Sequence, residues 1–166
     1  MSLPPPAALI QGVYETHLPV RDLARSLAFY RDRLGLPLAL EVTERRLAFL
    51  WLCETSQGML GLWEKDDPAE YAPRHFAFRT SRAGIFVACD HLAAAGIQPL
   101  GFVGEAIIEP VVFGWMPAAS VNFRDPDGHS VELIHLLDAA PDSGFGIRPY
   151  SDWWHSHCLR RETSAP

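Results

Sequence analysis

In the stretch FRDPDGHSVELIHLL, Phe123 to Leu137, a carboxylate, Glu132, sits inside an apolar strand pattern. An ionised carboxylate in such surroundings costs several kcal/mol unless it is solvated, paired or bound to something. Residues of similar chemistry occupy comparable places elsewhere. Val13 to Val20 alternates with a period of two, so Glu15 and His17 fall on one face and Tyr14, Leu18 and Val20 on the other. In RHFAFRT, Phe76 and Phe78 take one face, and His75, Ala77 and Arg79 the other. In SVNFR, Val121 and Phe123 point one way, and Ser120, Asn122 and Arg124 the other. Carboxylates and imidazoles on the polar face of a strand can carry protons or donate to divalent metals. Ser, Asn and Arg beside them can orient a polar substrate.

Local signals define the elements that must position these groups. Asp22 caps a helix carrying Leu23, Leu27, Tyr30 and Leu34 at helical spacing, and Gly35 ends it. LALEV, RLAFLWL and MLGLWE then read as three short strands. The order recurs. RHFAFRT is a strand, SRAGIFVACDHLAAAG a helix ending at Gly96, and IQPLGFV, AASVNFR and SVELIHLL are strands. Glu15 precedes Gly35 by 20 residues, and His75 precedes Gly96 by 21. The polar stretch EKDDPAEYAP joins the halves. The expected fold is therefore α+β, two βαβββ modules forming a curved mixed sheet with a cleft. Its organisation is a flexible leader over 1–11, modules over 12–66 and 67–138, and a C-terminal tail over 139–166. Pro126 at the first central position and Gly128 at positive φ specify the last hairpin, and with it the register that places Glu132.

Composition bounds the partners. The 166 residues carry a net charge of −6, which argues against a nucleic-acid surface. No run approaches the ~20 apolar residues of a membrane span. The N-terminus lacks the basic and apolar regions of a secretory signal. Cys53, Cys89 and Cys158 are an odd number without CxxC spacing. They read as reduced thiols of a cytoplasmic protein.

The segments ETHLPVRDLARSLAFYRDRLGL, RHFAF and FRDPDGHSVEL together resemble the vicinal oxygen chelate superfamily, from Val13 to Leu137. This group includes glyoxalase I, fosfomycin-resistance proteins, extradiol dioxygenases and bleomycin-resistance proteins. The resemblance implies a metal site with Glu15, His75 and Glu132 as ligands. Glu15 matches because it stands five residues before the valine of the V-x-D-L segment, here Val20. His17 faces the same way. It is either a substrate contact or neighbour of the site, or the ligand in place of Glu15, which would give the two-His, one-carboxylate set of non-haem Fe(II) chemistry. The donors suit Mn, Fe, Ni, Co or Zn. Asn122 and Arg124 are candidate substrate contacts, and Glu15 a candidate general base. The resemblance departs at Gly61, where glyoxalase I carries a Glu. It implies a small-molecule substrate with neighbouring oxygens, a homodimer, and lyase/isomerase or ring-cleaving dioxygenase chemistry. The rival reading is a metal-free protein that sequesters small molecules.

Of the remaining histidines, four read as solvated. His91 on the second helix and His129 after the turn are expected in solvent, as are His155 and His157 in the tail. Trp153 and Trp154 are expected to anchor that tail. No base stands at a readable spacing from a cysteine, and no glycine-rich phosphate loop is present.

Overall fold

The computed structural model describes residues 5–10, 12–53 and 57–158. The first four residues and residue 11 of the expected leader, and 159–166 of the expected tail, lie outside the described residues. The chain divides into two compact units between Ala72 and Pro73.

The first unit is built from β1 (Glu15–Val20), α1 (Leu23–Leu27), β2 (Leu38–Val42), β3 (Leu47–Trp51) and β4 (Met59–Glu64). Its sheet has the order β1-β4-β3-β2, with β1 and β4 parallel and the other pairs antiparallel. Asp22 Oδ1 accepts the Arg25 N–H at 2.9 Å, so the expected cap starts α1. Glu64 Oε2 accepts the Leu23 N–H at 2.9 Å, which ties the same turn to the end of β4. The helix continues with π geometry over Ala28–Arg33 and stops at Gly35, whose φ is +80°. Leu18, Val20, Leu27, Tyr30, Leu47, Leu50, Leu60 and Leu62 form the core. Each such side chain contributes about 1.5–3 kcal/mol on burial. Tyr14 is not among them. The strand begins at Glu15, burial begins at Leu18, and Tyr14 is half exposed.

The second unit contains β5 (His75–Arg79), α2 (Arg82–Ala94), β6 (Val111–Phe113), β7 (Ala118–Arg124), β8 (Ser130–Leu136), β9 (Ile147–Pro149) and α3 (Tyr150–Trp153). The order is β5-β8-β7-β6-β9, with β5 and β8 parallel. Ser81 Oγ accepts the Gly84 N–H at 3.0 Å to start α2, and Gly96 at φ +70° follows its end. Ile85, Ala88, Leu92, Val121, Phe123 and Val131 are buried where α2 covers the sheet. No helix among the described residues is long and apolar enough to cross a membrane.

Three expectations are corrected here. IQPLGFV is not a strand. Leu100 and Asn122 exchange two backbone bonds of 2.7 and 2.8 Å, and Leu100 also bridges Ala106, but neither pairing extends into a strand. Pro99 has no N–H to offer, and the chain turns back on itself between Gly101 and Glu105, with Gly104 at φ +89°. The second strand of the module is instead Val111–Phe113, buried at every residue. His129 is fully buried rather than solvated, because its Nδ1 accepts the Arg74 N–H at 2.9 Å and so fastens the start of β5 to β8. His157 is not in open solvent either. Its ring stacks on Trp153 at 3.6 Å, and its Nε2 lies 3.1 Å from Asp142 Oδ2.

The segment after β8 completes the sheet. Asp142 and Gly146 bond to the backbone of Gly114, β9 pairs with β6, and Glu109 binds both the N–H and the hydroxyl of Ser151 at the start of α3. Trp153 is buried against Phe145, as an anchor should be, whereas Trp154 stays 42% exposed.

Candidate functional site

Glu132 owes its position to the hairpin before it. Asp125 Oδ1 accepts the N–H groups of Asp127 and His129 at 3.0 and 2.8 Å, and Gly128 sits at φ +87°. The turn sets Val131 opposite Phe123 and Glu132 opposite Asn122. Val131 and Phe123 enter the core, so Glu132, Asn122 and Ser120 share the other face. On the parallel side Ala77 lies opposite Glu132, which puts His75 on that face too. The Glu132 side chain is 8% exposed. It is not left alone. Ser120 donates to Oε1 at 2.6 Å, His75 Nε2 lies 3.2 Å from Oε2, and the Asn122 amide donates to Ser120 Oγ at 3.4 Å. Arg124 stands apart from this group, donating to the Gly128 carbonyl at 3.4 Å.

In the first unit, Glu15 and His17 stand two residues apart on β1, so both project from one face. His17 Nε2 lies 3.3 Å from Glu15 Oε1, and both side chains are half exposed. The imidazole is stacked on Trp63 at 5.5 Å and meets Phe49 edge-on at 5.7 Å. Gly61 pairs directly with His17 across the parallel strands. A Cβ at Gly61 would lie 2.9 Å from His17 Cδ2 and 3.2 Å from both Phe49 and Trp63. Position 61 therefore has no room for a longer side chain while His17 lies where it does. The Trp63 indole N–H is buried without a hydrogen-bond partner.

The structure thus brings the sequence candidates together as two pairs, Glu15 with His17 and His75 with Glu132. Asn122 reaches Glu132 through Ser120, and Arg124 is engaged by the turn. Among the described residues, no group of three or more His, Cys, Asp or Glu is assembled to hold a metal ion. Each pair nevertheless has the spacing of two ligands. Donors about 2.1 Å from one cation and roughly at right angles lie about 3 Å apart, and the observed separations are 3.2 and 3.3 Å. Imidazole nitrogen and carboxylate oxygen also suit borderline divalent metals. The donor types present suit such an ion, two in each pair. Two features were not foreseen from the sequence: the Ser120–Glu132 bond and the aromatic box of Phe49 and Trp63 around His17. The box had a signal, since Gly61 and Trp63 are two apart on one strand face and Phe49 pairs with Gly61.

Residues 12–133, more than half of the chain, match the Glyoxalase/Bleomycin resistance protein/Dioxygenase superfamily. The chain belongs to this superfamily. Among solved structures, an integron cassette protein, HFX_CASS4, from the mobile metagenome of the Halifax Harbour sewage outfall is 32% identical, with a TM-score of 0.67. That likeness covers 76% of this chain and 100% of the other. A lactoylglutathione lyase from Agrobacterium tumefaciens is 25% identical over 75% of this chain and 93% of its own, with a TM-score of 0.56. Oxidase ChaP-H2, at 19% identity and a TM-score of 0.57 over 80% and 97% of the two chains, shares the fold. No curated protein matches the chain significantly. The superfamily match and the two mixed sheets agree with the α+β reading, and the paired β1/β4 and β5/β8 strands carry the residues that the glyoxalase-like resemblance singled out.

Proposed function

We propose that the chain is a divalent-metal-dependent enzyme of the lyase or isomerase type, acting on a small substrate with two neighbouring oxygens. One observation carries the reading: Glu132, nearly buried, turns Oε2 to within 3.2 Å of His75 Nε2. A carboxylate so placed is stable when a cation or proton donor meets it. His75 and Glu132 would hold the metal, and Glu15 is the further ligand that the superfamily motif before Val20 implies. A divalent ion there supplies Lewis acidity to substrate oxygens that gain negative charge.

The chain's own residues do the rest. The partly exposed Glu15 acts as general base. Its Oε1 lies 3.3 Å from His17 Nε2, and each carboxylate oxygen has more than one lone pair, so the group can still take a proton from substrate. His17 is kept in place by Phe49 and Trp63. Asn122 borders the site as a substrate contact, whereas Arg124, held by the turn, would have to leave the Gly128 carbonyl to serve as one. The lyase reading is favoured over oxygen chemistry by the likeness to the lactoylglutathione lyase, and it takes Glu15 rather than His17 as the ligand. Cys53 and Cys89 are both free, which supports a reducing, cytoplasmic setting. The reading includes a homodimer.

Elemental analysis of protein purified without chelator tests the proposal. About one equivalent of Mn, Fe, Ni, Co or Zn per chain is expected. A protein that carries none and takes up none on incubation would leave the metal-free binding protein as the reading.

A further inference from the structure

We propose that Ser120 is a positioning residue: it holds Oε1 of Glu132 so that Oε2 alone is presented beside His75. The inference rests on the metal reading above for its purpose, but its geometry stands independently. Ser120 is fully buried, so no water competes for its hydroxyl. At 2.6 Å the contact to Oε1 is short, as expected for a hydroxyl donating to a carboxylate. A serine has one hydroxyl proton, and here it goes to Glu132. Ser120 Oγ can then only accept, and the group facing it at 3.4 Å is the Asn122 amide nitrogen. The amide orientation of Asn122 follows from that constraint. The resulting order, Asn122 to Ser120 to Glu132, runs in one direction across two antiparallel strands whose register sets Asn122 opposite Glu132.

The consequence is geometric. A free carboxylate rotates about its terminal bond and offers a cation either one oxygen or two. With Oε1 tied down, Glu132 offers one. Ser120 would thus fix a one-oxygen ligand and its angle to His75, a task typical of groups that orient metal ligands.

The test uses the full chain with glutamate labelled at its carboxyl carbon. Infrared spectra are recorded without metal and after adding Mn(II), alongside Mn(II) titration. Wild type should give unequal carboxylate oxygens for Glu132, assigned by loss of the band in Glu132→Gln. In Ser120→Ala that band should move in the metal-free protein, and Mn(II) affinity should fall ~10–100-fold. Ser120→Thr, which keeps the hydroxyl, should restore both. If the alanine variant does not fold, Ser120→Cys, a weak donor of similar size, replaces it. An unmoved Glu132 band in a folded variant overturns the proposal, as does a fall in affinity that Thr does not reverse. If wild type binds no Mn(II), the metal reading fails, and the metal-free band alone decides for or against the Ser120 role.

Discussion

Replacing Gly61 with alanine separates a packing effect from a backbone effect at the first-unit pair. Gly61 does not have a positive φ, so alanine fits its backbone. Removing glycine's freedom in the unfolded chain would by itself stabilise the protein by about 0.4–1 kcal/mol. The new methyl, however, would stand 2.9 Å from His17 Cδ2. Ordinary carbon contacts are 3.5–4.0 Å, so the imidazole must retreat by roughly 0.6 Å or more. Phe49 and Trp63, each at 3.2 Å, must give about half as much. Overpacking costs about 1–3 kcal/mol in a closed core. His17 is half exposed and can move outward, which puts the cost near the lower end. The two effects nearly cancel, and the expected net change is a loss of no more than about 1 kcal/mol by urea denaturation. The position of His17 is the sharper readout. Its imidazole signals in a two-dimensional NMR spectrum should shift as the ring leaves its stacked place on Trp63. Unchanged His17 signals, together with a gain of the full glycine-to-alanine increment, would refute the packing argument.

Two further outcomes are expected. Burial first, then the nearby charges of Asp90 and Glu109, push the Cys89 thiol up to about 11. In a variant with Cys53 and Cys158 replaced by serine, native protein at pH 8 should resist thiol reagents and react only when unfolded, whereas fast native labelling would contradict the burial. Because the folded-state value is raised, its contribution to stability is complete below the unfolded thiol's range, about 8.5. It should decline as pH climbs through that range towards 11. Light scattering at micromolar concentration should give twice the 18.5 kDa chain mass, and a single-chain mass would remove the dimer from the account.

The elements most legible in the sequence were those with local chemical causes. Asp22 and Ser81 start their helices through side-chain caps, Gly35 and Gly96 follow at positive φ, and the Asp125–Gly128 turn fixes the last hairpin. The in-and-out alternation around Glu132, Ser120 and Asn122 followed from that register. What escaped depends on contacts distant in sequence. Val111–Phe113 is buried at every residue and shows no alternation, so its pattern does not mark a strand. IQPLGFV has the apolar content of a strand, but Pro99, Gly101 and Gly104 turn it away, leaving only isolated bridges from Leu100 to Asn122 and Ala106. His129 follows a turn and looks solvated, yet it is enclosed where β5 begins. The Ser120–Glu132 bond depends on side-chain rotamers across two strands, which periodicity does not encode.

Titration of Mn(II) into chelator-treated protein, followed by calorimetry, tests the central claim most directly. Wild type should show one site per chain. Glu132→Gln and His75→Ala should abolish it, and Glu15→Gln should weaken it more than His17→Ala, whose loss as an orienting neighbour is worth ~10–100-fold. Retained affinity in the Glu15 variant with lost affinity in the His17 variant would move the ligand to His17 and favour oxygen chemistry. Wild-type protein that binds no Mn(II), or binding unaltered in Glu132→Gln and His75→Ala, would contradict the account.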